Sequence, residues 1–374
     1  MLVTMRGDGV HVLVVGAGIA GLASARTLHE WGATVEVIDR QPAPPLGGTG
    51  IFLPGNSVRA LGLLGIGSEV ARRAIGIDRQ QTLDHRGRTL FEIETDSLWH
   101  GVAPCLALHR ADLHRVLLTG LGDISVRWAA SPEAVTFDDA GVTVTVDGTP
   151  SRYDLVLGAD GVHSTVRHLT FGPGAVQKVG QWARRFVVKH DVEPATWSVR
   201  LGRGSAFLTI PIGEDQVYCY VDGPLNDHRS LRDLLAGYAD PVPSLLDALD
   251  AHNDTAAAMQ TGDIEEVIVG SWVRDTVLLI GDAAHATSPN MAQGAGLAIE
   301  DAAVLAETLD SATDLGAALT MFERRRRPRT DWVREQTHRR DRARELPPAL
   351  RNALLRWFGA RIQRANNRQL REQP

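Results

Sequence analysis

The chain has 374 residues, 44% of them hydrophobic and 22% charged, with a formal net charge of −6; that is room for two packed domains, or for one nucleotide-binding domain carrying an inserted second one. The acidic balance argues against nucleic acid, which needs a clustered basic face, and two cysteines, Cys105 and Cys219, make no disulfide framework and stand in no metal-ligand spacing. No apolar run approaches the roughly 20 residues that span a bilayer, so a cytoplasmic protein with no integral membrane segment and no metal is expected.

The leader Met1 to Gly9 lacks the apolar core of a signal peptide and reads as a frayed tail. His11 to Val15 is a buried-strand pattern that runs straight into Gly16-x-Gly18-x-x-Gly21, a helix from Leu22 to Trp31, and a second strand, Thr34 to Ile38, closing on Asp39. In such a unit the first glycine allows the tight turn and the second lets backbone approach a pyrophosphate. The third lets helix pack on strand, and the acid accepts from ribose hydroxyls. A structural β-α-β turn without a ligand is the alternative. The Pro/Gly-rich loop Gln41 to Gly50 either packs on a bound nucleotide or is surface slack. Between Ile77 and Thr95, two alternating segments around His85-Arg86-Gly87-Arg88 read as a hairpin. Arg110 then opens an amphipathic helix with Leu113, Val116, Leu117 and Leu121 on one face; its charge is either solvated or a phosphate or ribose contact.

A short candidate strand, Ile124 to Arg127, and a clearer alternation, Val142 to Val146, precede a buried strand ending in Gly158-Ala159-Asp160-Gly161, which feeds a helix capped by Ser164. Asp160 and Arg167 land at that strand's C-terminal end, where open α/β sheets bind ligands; a plain Asp-Gly turn reads the same way. From Gln181 to Val221 four alternating stretches rich in aromatics and Arg describe an antiparallel sheet, one face packed and the other free to meet a substrate. Helical stretches near Leu231 to Tyr238 and Pro243 to Ala251 follow. The run Thr276 to Ile280 ends in Gly281-Asp282, and a small-residue loop leads into a buried helical pattern with Ile299, Ala302, Ala303 and Leu305. Helix-start N–H groups there suit an anion or an electron-rich ring. Asp282 and His285 have no third ligand to make a metal site. Arg324 to Arg344, interspersed with Asp331, Glu335 and Asp341, reads as a solvated helix laced with ion pairs, with a patch for an acidic membrane or nucleic acid as the alternative. Leu350, Leu354, Leu355, Trp357 and Phe358 read as a terminal amphipathic helix docked on the body.

Three of these stretches share an order and spacing: Gly16-x-Gly18-x-x-Gly21 with Asp39-Arg40, Gly158-Ala159-Asp160-Gly161-x-x-Ser164-x-x-Arg167, and Gly281-Asp282-Ala283-Ala284-His285 through Glu300-Asp301-Ala302. Together they resemble the single-component FAD-dependent monooxygenases of the p-hydroxybenzoate hydroxylase fold, most of all the branch with salicylate hydroxylase, urate hydroxylase and zeaxanthin epoxidase. The resemblance covers roughly residues 10 to 330. It implies an α/β protein with a Rossmann-like FAD-binding domain (1–76, 101–175 and 269–335), an inserted antiparallel-sheet substrate domain (77–100 and 176–268) and a C-terminal helical segment (336–374). FAD would be held by Gly16, Gly18, Ala20, Gly21, Asp39 and Arg40 at its adenosine end, by Arg110 and Asp282 along its middle, and by Pro289, Gln293, Gly294, Ala295 and Gly296 at the ring. Asp160 would serve both FAD and NAD(P)H.

The implied reaction uses NAD(P)H and O2, and passes one oxygen atom from a flavin hydroperoxide to a small aromatic or polycyclic substrate. A flavin reductase or dehydrogenase without oxygen transfer, and an epoxidase or Baeyer-Villiger oxygenase acting on a polyketide or terpenoid, share every motif. The implied assembly is a monomer or homodimer. No catalytic acid or base stands out, and Phe207, Tyr218 and Tyr220 are expected to include walls of the substrate pocket. Two departures from the family pattern stand in the site: Ala292 where Gly is common, and Asp39 where Glu is commoner.

Overall fold

The computed structural model describes residues 6–45, 47, 49–138, 141–251 and 259–374. The expected frayed tail therefore lies outside the described residues at positions 1–5, as do positions 46 and 48 of the Pro/Gly-rich loop. Gly7 is not frayed. Its N–H donates to Trp31 O at 3.2 Å, and a Cβ there would fall 2.6 Å from Ala33 N.

A six-stranded sheet runs in the order Val273–Arg274, Val277–Leu279, Leu155–Gly158, His11–Val15, Thr34–Ile38, Val126–Arg127, parallel except at its first pair. The chain leaves His11–Val15 to one side first and returns to its other side much later, which makes that strand a topological switch point. Leu13, Val14, Leu157, Leu278 and Leu279 are fully buried, as strands of a parallel sheet covered on both faces must be. Each such side chain contributes about 1.5–3 kcal/mol of burial. The helices Ile19–Glu30 and Gly294–Ser311 and the meander Pro132–Asp138, Gly141–Val146, Thr149–Tyr153 close the same core.

A seven-stranded sheet has the order Met259–Val267, Val176–Lys189, Gln216–Pro224, Ala206–Gly213, Thr196–Leu201, Arg79–Asp84, Thr89–Glu94. The hairpin around Gly87 joins it through the parallel pairing of Arg79–Asp84 with Thr196–Leu201. Its faces differ. Phe186, Phe207, Val217, Cys219 and Val221 pack with Leu234, Leu235, Leu245 and Leu249 of the helices Leu231–Leu235 and Val242–Asp250. Tyr218, Tyr220, Ile210 and Ile212 pack on the opposite side with Phe52, Trp99, Met291 and Leu297. A small sheet of Gly50–Leu53, Cys105–His109 and Ile75–Ile77 sits between the two large ones, with a Cβ at Gly50 falling only 2.4 Å from Tyr218 Cβ.

The helix Leu315–Arg344 runs unbroken through Pro328 and past residue 335. The solvated reading of its Arg run holds only in part. Arg334–Asp331 and Arg339–Glu335 are surface pairs, whereas Arg326 and Arg329 are buried. No helix among the described residues is long and apolar enough to cross a membrane.

Candidate cofactor and active site

Four motif residues sit at the C-terminal ends of four neighbouring parallel strands: Gly16 after His11–Val15, Asp39 after Thr34–Ile38, Asp160 after Leu155–Gly158, and Gly281 after Val277–Leu279. Stretches far apart in the sequence meet here: Gly281 takes φ +57°, and a Cβ there would lie 2.7 Å from the Ala20 Cβ.

The three glycines of the first loop divide by cause. A Cβ on Gly16 would meet Ala159 O at 2.4 Å, and one on Gly21 would meet Gly16 O at 1.8 Å, so packing alone demands both. A Cβ on Gly18 would meet nothing within 4 Å, and its φ of −78° suits any residue. Space beside backbone N–H groups at a helix start is what a dinucleotide pyrophosphate requires. The residues present therefore fit FAD. Asp39 holds this loop as well as closing its strand, its carboxylate accepting from Ala17 N at 2.6 Å and from Gln41 N at 2.7 Å. The neighbouring Arg40 is exposed.

From the other side His114, on the helix Arg110–Thr119, donates from Nε2 to Ala17 O at 2.8 Å. A carbonyl only accepts, so that nitrogen carries the proton. Burial, with Arg110 adding to it, pushes the His114 pKa down, and the ring stays neutral. The sequence reading passed over His114; its signal was a polar residue beside Leu113 on an apolar helix face. Arg110 is exposed at the start of that helix, with its own N–H on Thr49 O at 2.9 Å.

Asp160 spends its carboxylate within the chain. It accepts from Ser164 Oγ, from Thr165 N at 2.6 Å and from Val166 N at 3.1 Å. Burial pushes its pKa up against the pull of those donors. Arg167 then donates to Ala283 O at 2.8 Å, which ties the Asp-Gly turn to the Gly281 turn. Asp282 is exposed at the first position of the helix Asp282–His285, beside the start of Gly294–Ser311: a Cβ on Gly294 would lie 3.9 Å from Asp282 Oδ1. Asp282 and His285 therefore part company, since His285 is buried and its Nε2 donates to Asp301 Oδ2 at 2.7 Å.

A buried charged network underlies this loop. Asp301 also accepts from Gly281 N at 2.9 Å and from Arg326 Nε at 2.8 Å. Glu300 accepts from Arg326 Nη1 at 3.0 Å, Arg329 Nη2 at 2.7 Å and Asn56 Nδ2 at 3.0 Å, and Asn56 also donates to Gln293 Oε1 at 2.9 Å. Burial by itself would raise the Asp301 and Glu300 pKa values; the His285 partner with Arg326 outweighs it at Asp301, and Arg326 with Arg329 outweighs it at Glu300, so both carboxyls are held low. Gln293 is thereby turned inward, while Gly294 is exposed, Ala295 is half-buried, and Gly296 lies so close to Ser57 that a Cβ would fall 2.1 Å from its Oγ. Pro289 is half-buried in the short 3₁₀ turn Pro289–Met291. Two adjacent acids in an otherwise apolar helix were the available signal for buried cationic partners.

Ala292 takes φ +52°, ψ +35°, a left-handed conformation that glycine adopts without the steric cost of a Cβ. An alanine costs about 1–2 kcal/mol there. Glycine would lose part of that gain to its own chain entropy, about 0.5–1 kcal/mol. Ala292→Gly is expected to raise stability by up to about 1 kcal/mol, read as a higher unfolding midpoint; a lower midpoint means that the packing of the methyl group outweighs the strain.

Tyr218 and Tyr220 share one apolar cluster with Phe52, Met291 and Leu297, and so face the loop that precedes Gly294–Ser311. The Arg185 guanidinium carbon stands 5.3 Å from the centre of the Tyr220 ring. Phe207 stands apart from these two tyrosines. Strand alternation turns it to the other face of the sheet, fully buried against Phe186, and the sheet separates it from the tyrosines.

The chain resembles known proteins over most of its length. The family model described as an FAD binding domain matches residues 9–337. The chain is 32% identical to 2-heptyl-3-hydroxy-4(1H)-quinolone synthase of Pseudomonas aeruginosa, over 87% of each chain. It is 31% identical to aurachin C monooxygenase/isomerase of Stigmatella aurantiaca, over 84% of each. It is also 31% identical to FAD-dependent urate hydroxylase of Klebsiella pneumoniae, over 84% of this chain and 85% of the other. The crystal structure of Klebsiella pneumoniae HpxO complexed with FAD and uric acid superposes with a TM-score of 0.80 at 27% identity, covering 98% of this chain and 93% of that one.

Proposed function

Since this chain belongs to the family of FAD-dependent aromatic monooxygenases, we propose that it inserts one oxygen atom of O2 into an electron-rich aromatic small molecule, with NAD(P)H as electron donor. The observation that carries the reading is the meeting of the Gly16–Gly21 loop with the Gly281–Asp282 turn at the switch point of the sheet. Bound FAD supplies electron transfer and dioxygen activation.

The chain's own residues position and polarise. The Gly16–Gly21 loop with Asp39 holds the adenosine end, Arg110 and Asp282 the middle, and Pro289 to Gly296 the ring. The helix Gly294–Ser311 directs its N-terminal N–H groups to that place, where they favour negative charge. Relatives named for a quinolone, urate and 3-amino-4-hydroxybenzoate support an aromatic substrate bearing polar ring substituents. Tyr218, Tyr220 and Arg185 are its proposed walls, and the cytoplasm, which supplies NAD(P)H, is the proposed compartment.

The test is an NAD(P)H-oxidation screen of the FAD-loaded protein against phenols, N-heteroaromatics and polyketides, with product mass spectrometry. A product heavier by one oxygen is expected; coenzyme oxidation without one favours a reductase. The Tyr220 hydroxyl is buried with no partner among the described residues. Tyr220→Phe should therefore leave stability unchanged or raise it by about 1 kcal/mol, while raising KM by about tenfold for a substrate that bonds that hydroxyl. A marked fall in the unfolding midpoint would mean the hydroxyl serves the fold instead.

A further inference from the structure

The terminal helix Pro348–Asn367 is docked in the sense opposite to the one its apolar pattern suggests. Its inward face is polar or bare. Arg351 is buried and donates from Nη1 to Gly202 O at 2.8 Å. Gln363 donates to Gln80 Oε1 at 2.9 Å and accepts from Arg340 at 2.9 Å. A Cβ on Gly359 would fall 2.2 Å from Phe91 Cδ1, so the backbone itself rests on that ring. Just past the helix Leu370 is fully buried, and Arg329 and Arg59 donate to backbone carbonyls there. The helix is thus fixed in rotation.

Its outward face carries Leu350, Leu354, Trp357, Phe358 and Ile362, at three- and four-residue spacing, with Trp357 80% exposed. Among the described residues only Leu63 and Ile268 are other exposed large hydrophobics. Of the side chains expected to dock on the body, Leu350, Leu354, Trp357 and Phe358 are instead exposed and Leu355 is half-buried. The helix also contains no Asp or Glu, and Arg356, Arg361 and Arg364 are exposed along it, in a chain whose net charge is −6.

We propose that this face docks on an anionic lipid surface, the aromatic and leucine side chains entering the headgroup boundary and the arginines meeting lipid phosphates. Charge complementarity selects this occupant. A second copy would bring the same arginines together with no carboxylate on either helix, whereas an amphipathic helix with a basic side and exposed Trp and Phe partitions into an anionic interface without crossing it.

The test is flotation of the full-length, FAD-loaded protein with vesicles of phosphatidylcholine alone or mixed with phosphatidylglycerol. Binding to the mixed vesicles is expected to be at least about tenfold stronger and to weaken with salt. The double variant Trp357→Ser/Phe358→Ser should lose flotation while keeping its FAD content and unfolding midpoint. Failure of the wild type to float with phosphatidylglycerol, or equal flotation of the double variant, overturns the proposal. So does a wild-type dimer in sedimentation that the double variant dissociates, since a second copy then covers the stripe.

Discussion

Arg326→Ala is expected to destabilise the protein by about 3–5 kcal/mol, because it leaves Glu300 and Asp301 buried with part of their countercharge removed. Arg326 is wholly inaccessible and gives a hydrogen bond to each of these carboxylates and to Leu297 O at 3.1 Å. The loss is local as well as global. Asp301 holds Gly281 N, and Glu300 holds Asn56, which holds Gln293; the variant should therefore also bind FAD less tightly. Urea unfolding at neutral pH measures the first effect and FAD titration the second.

The same network sets acid stability. A carboxyl whose pKa is held low in the folded state stabilises fully above its unfolded value of about 4, and that stabilisation is lost as pH falls through the lower folded value. Asp301 and Glu300 are both held low, so the wild type should weaken as pH drops below about 4. Arg326→Ala should show a shallower acid slope over that range. An unfolding midpoint for Arg326→Ala within about 1 kcal/mol of the wild type would remove the network from the account.

The second large effect separates folding from binding within one loop. Gly21→Ala forces a methyl group onto Gly16 O and must displace the helix Ile19–Glu30, so both the fold and FAD binding should suffer. Gly18→Val meets no protein atom near its Cβ and takes up an ordinary backbone conformation. Its cost to the apo protein should stay near about 1 kcal/mol, the penalty of an apolar residue at a helix cap. Its cost to FAD affinity should reach at least about 100-fold, since the side chain occupies the approach to the pyrophosphate.

Strands that end in these motifs were legible because a buried parallel strand leaves an apolar run, and Gly or Asp marks where it stops. Met259–Val267 was not legible. Its sequence, Met-Gln-Thr-Gly-Asp-Ile-Glu-Glu-Val, lacks a strand pattern and is held by pairing along Val176–Lys189. Asp39 and Asp160 were read as ligand-facing acids; in the structure the carboxylate of each accepts from backbone N–H groups of the loop it closes. Which arginines of the run from 324 to 344 are buried depends on acids about 25 residues away in sequence, in another helix, as with Arg326 and Asp301. Helical spacing alone cannot supply that. The terminal helix shows the same limit from the other side, since periodicity identifies an apolar stripe but not the direction in which Gly359 and Arg351 will turn it.

The central claim is that residues far apart in the sequence hold one FAD molecule. FAD titration of Gly18→Val and Asp282→Ala beside the wild type, with apo unfolding measured on the same samples, tests it most directly. Both variants should lose FAD affinity strongly while their apo midpoints remain near that of the wild type. Wild-type affinity in either variant, with the fold intact, would contradict the account.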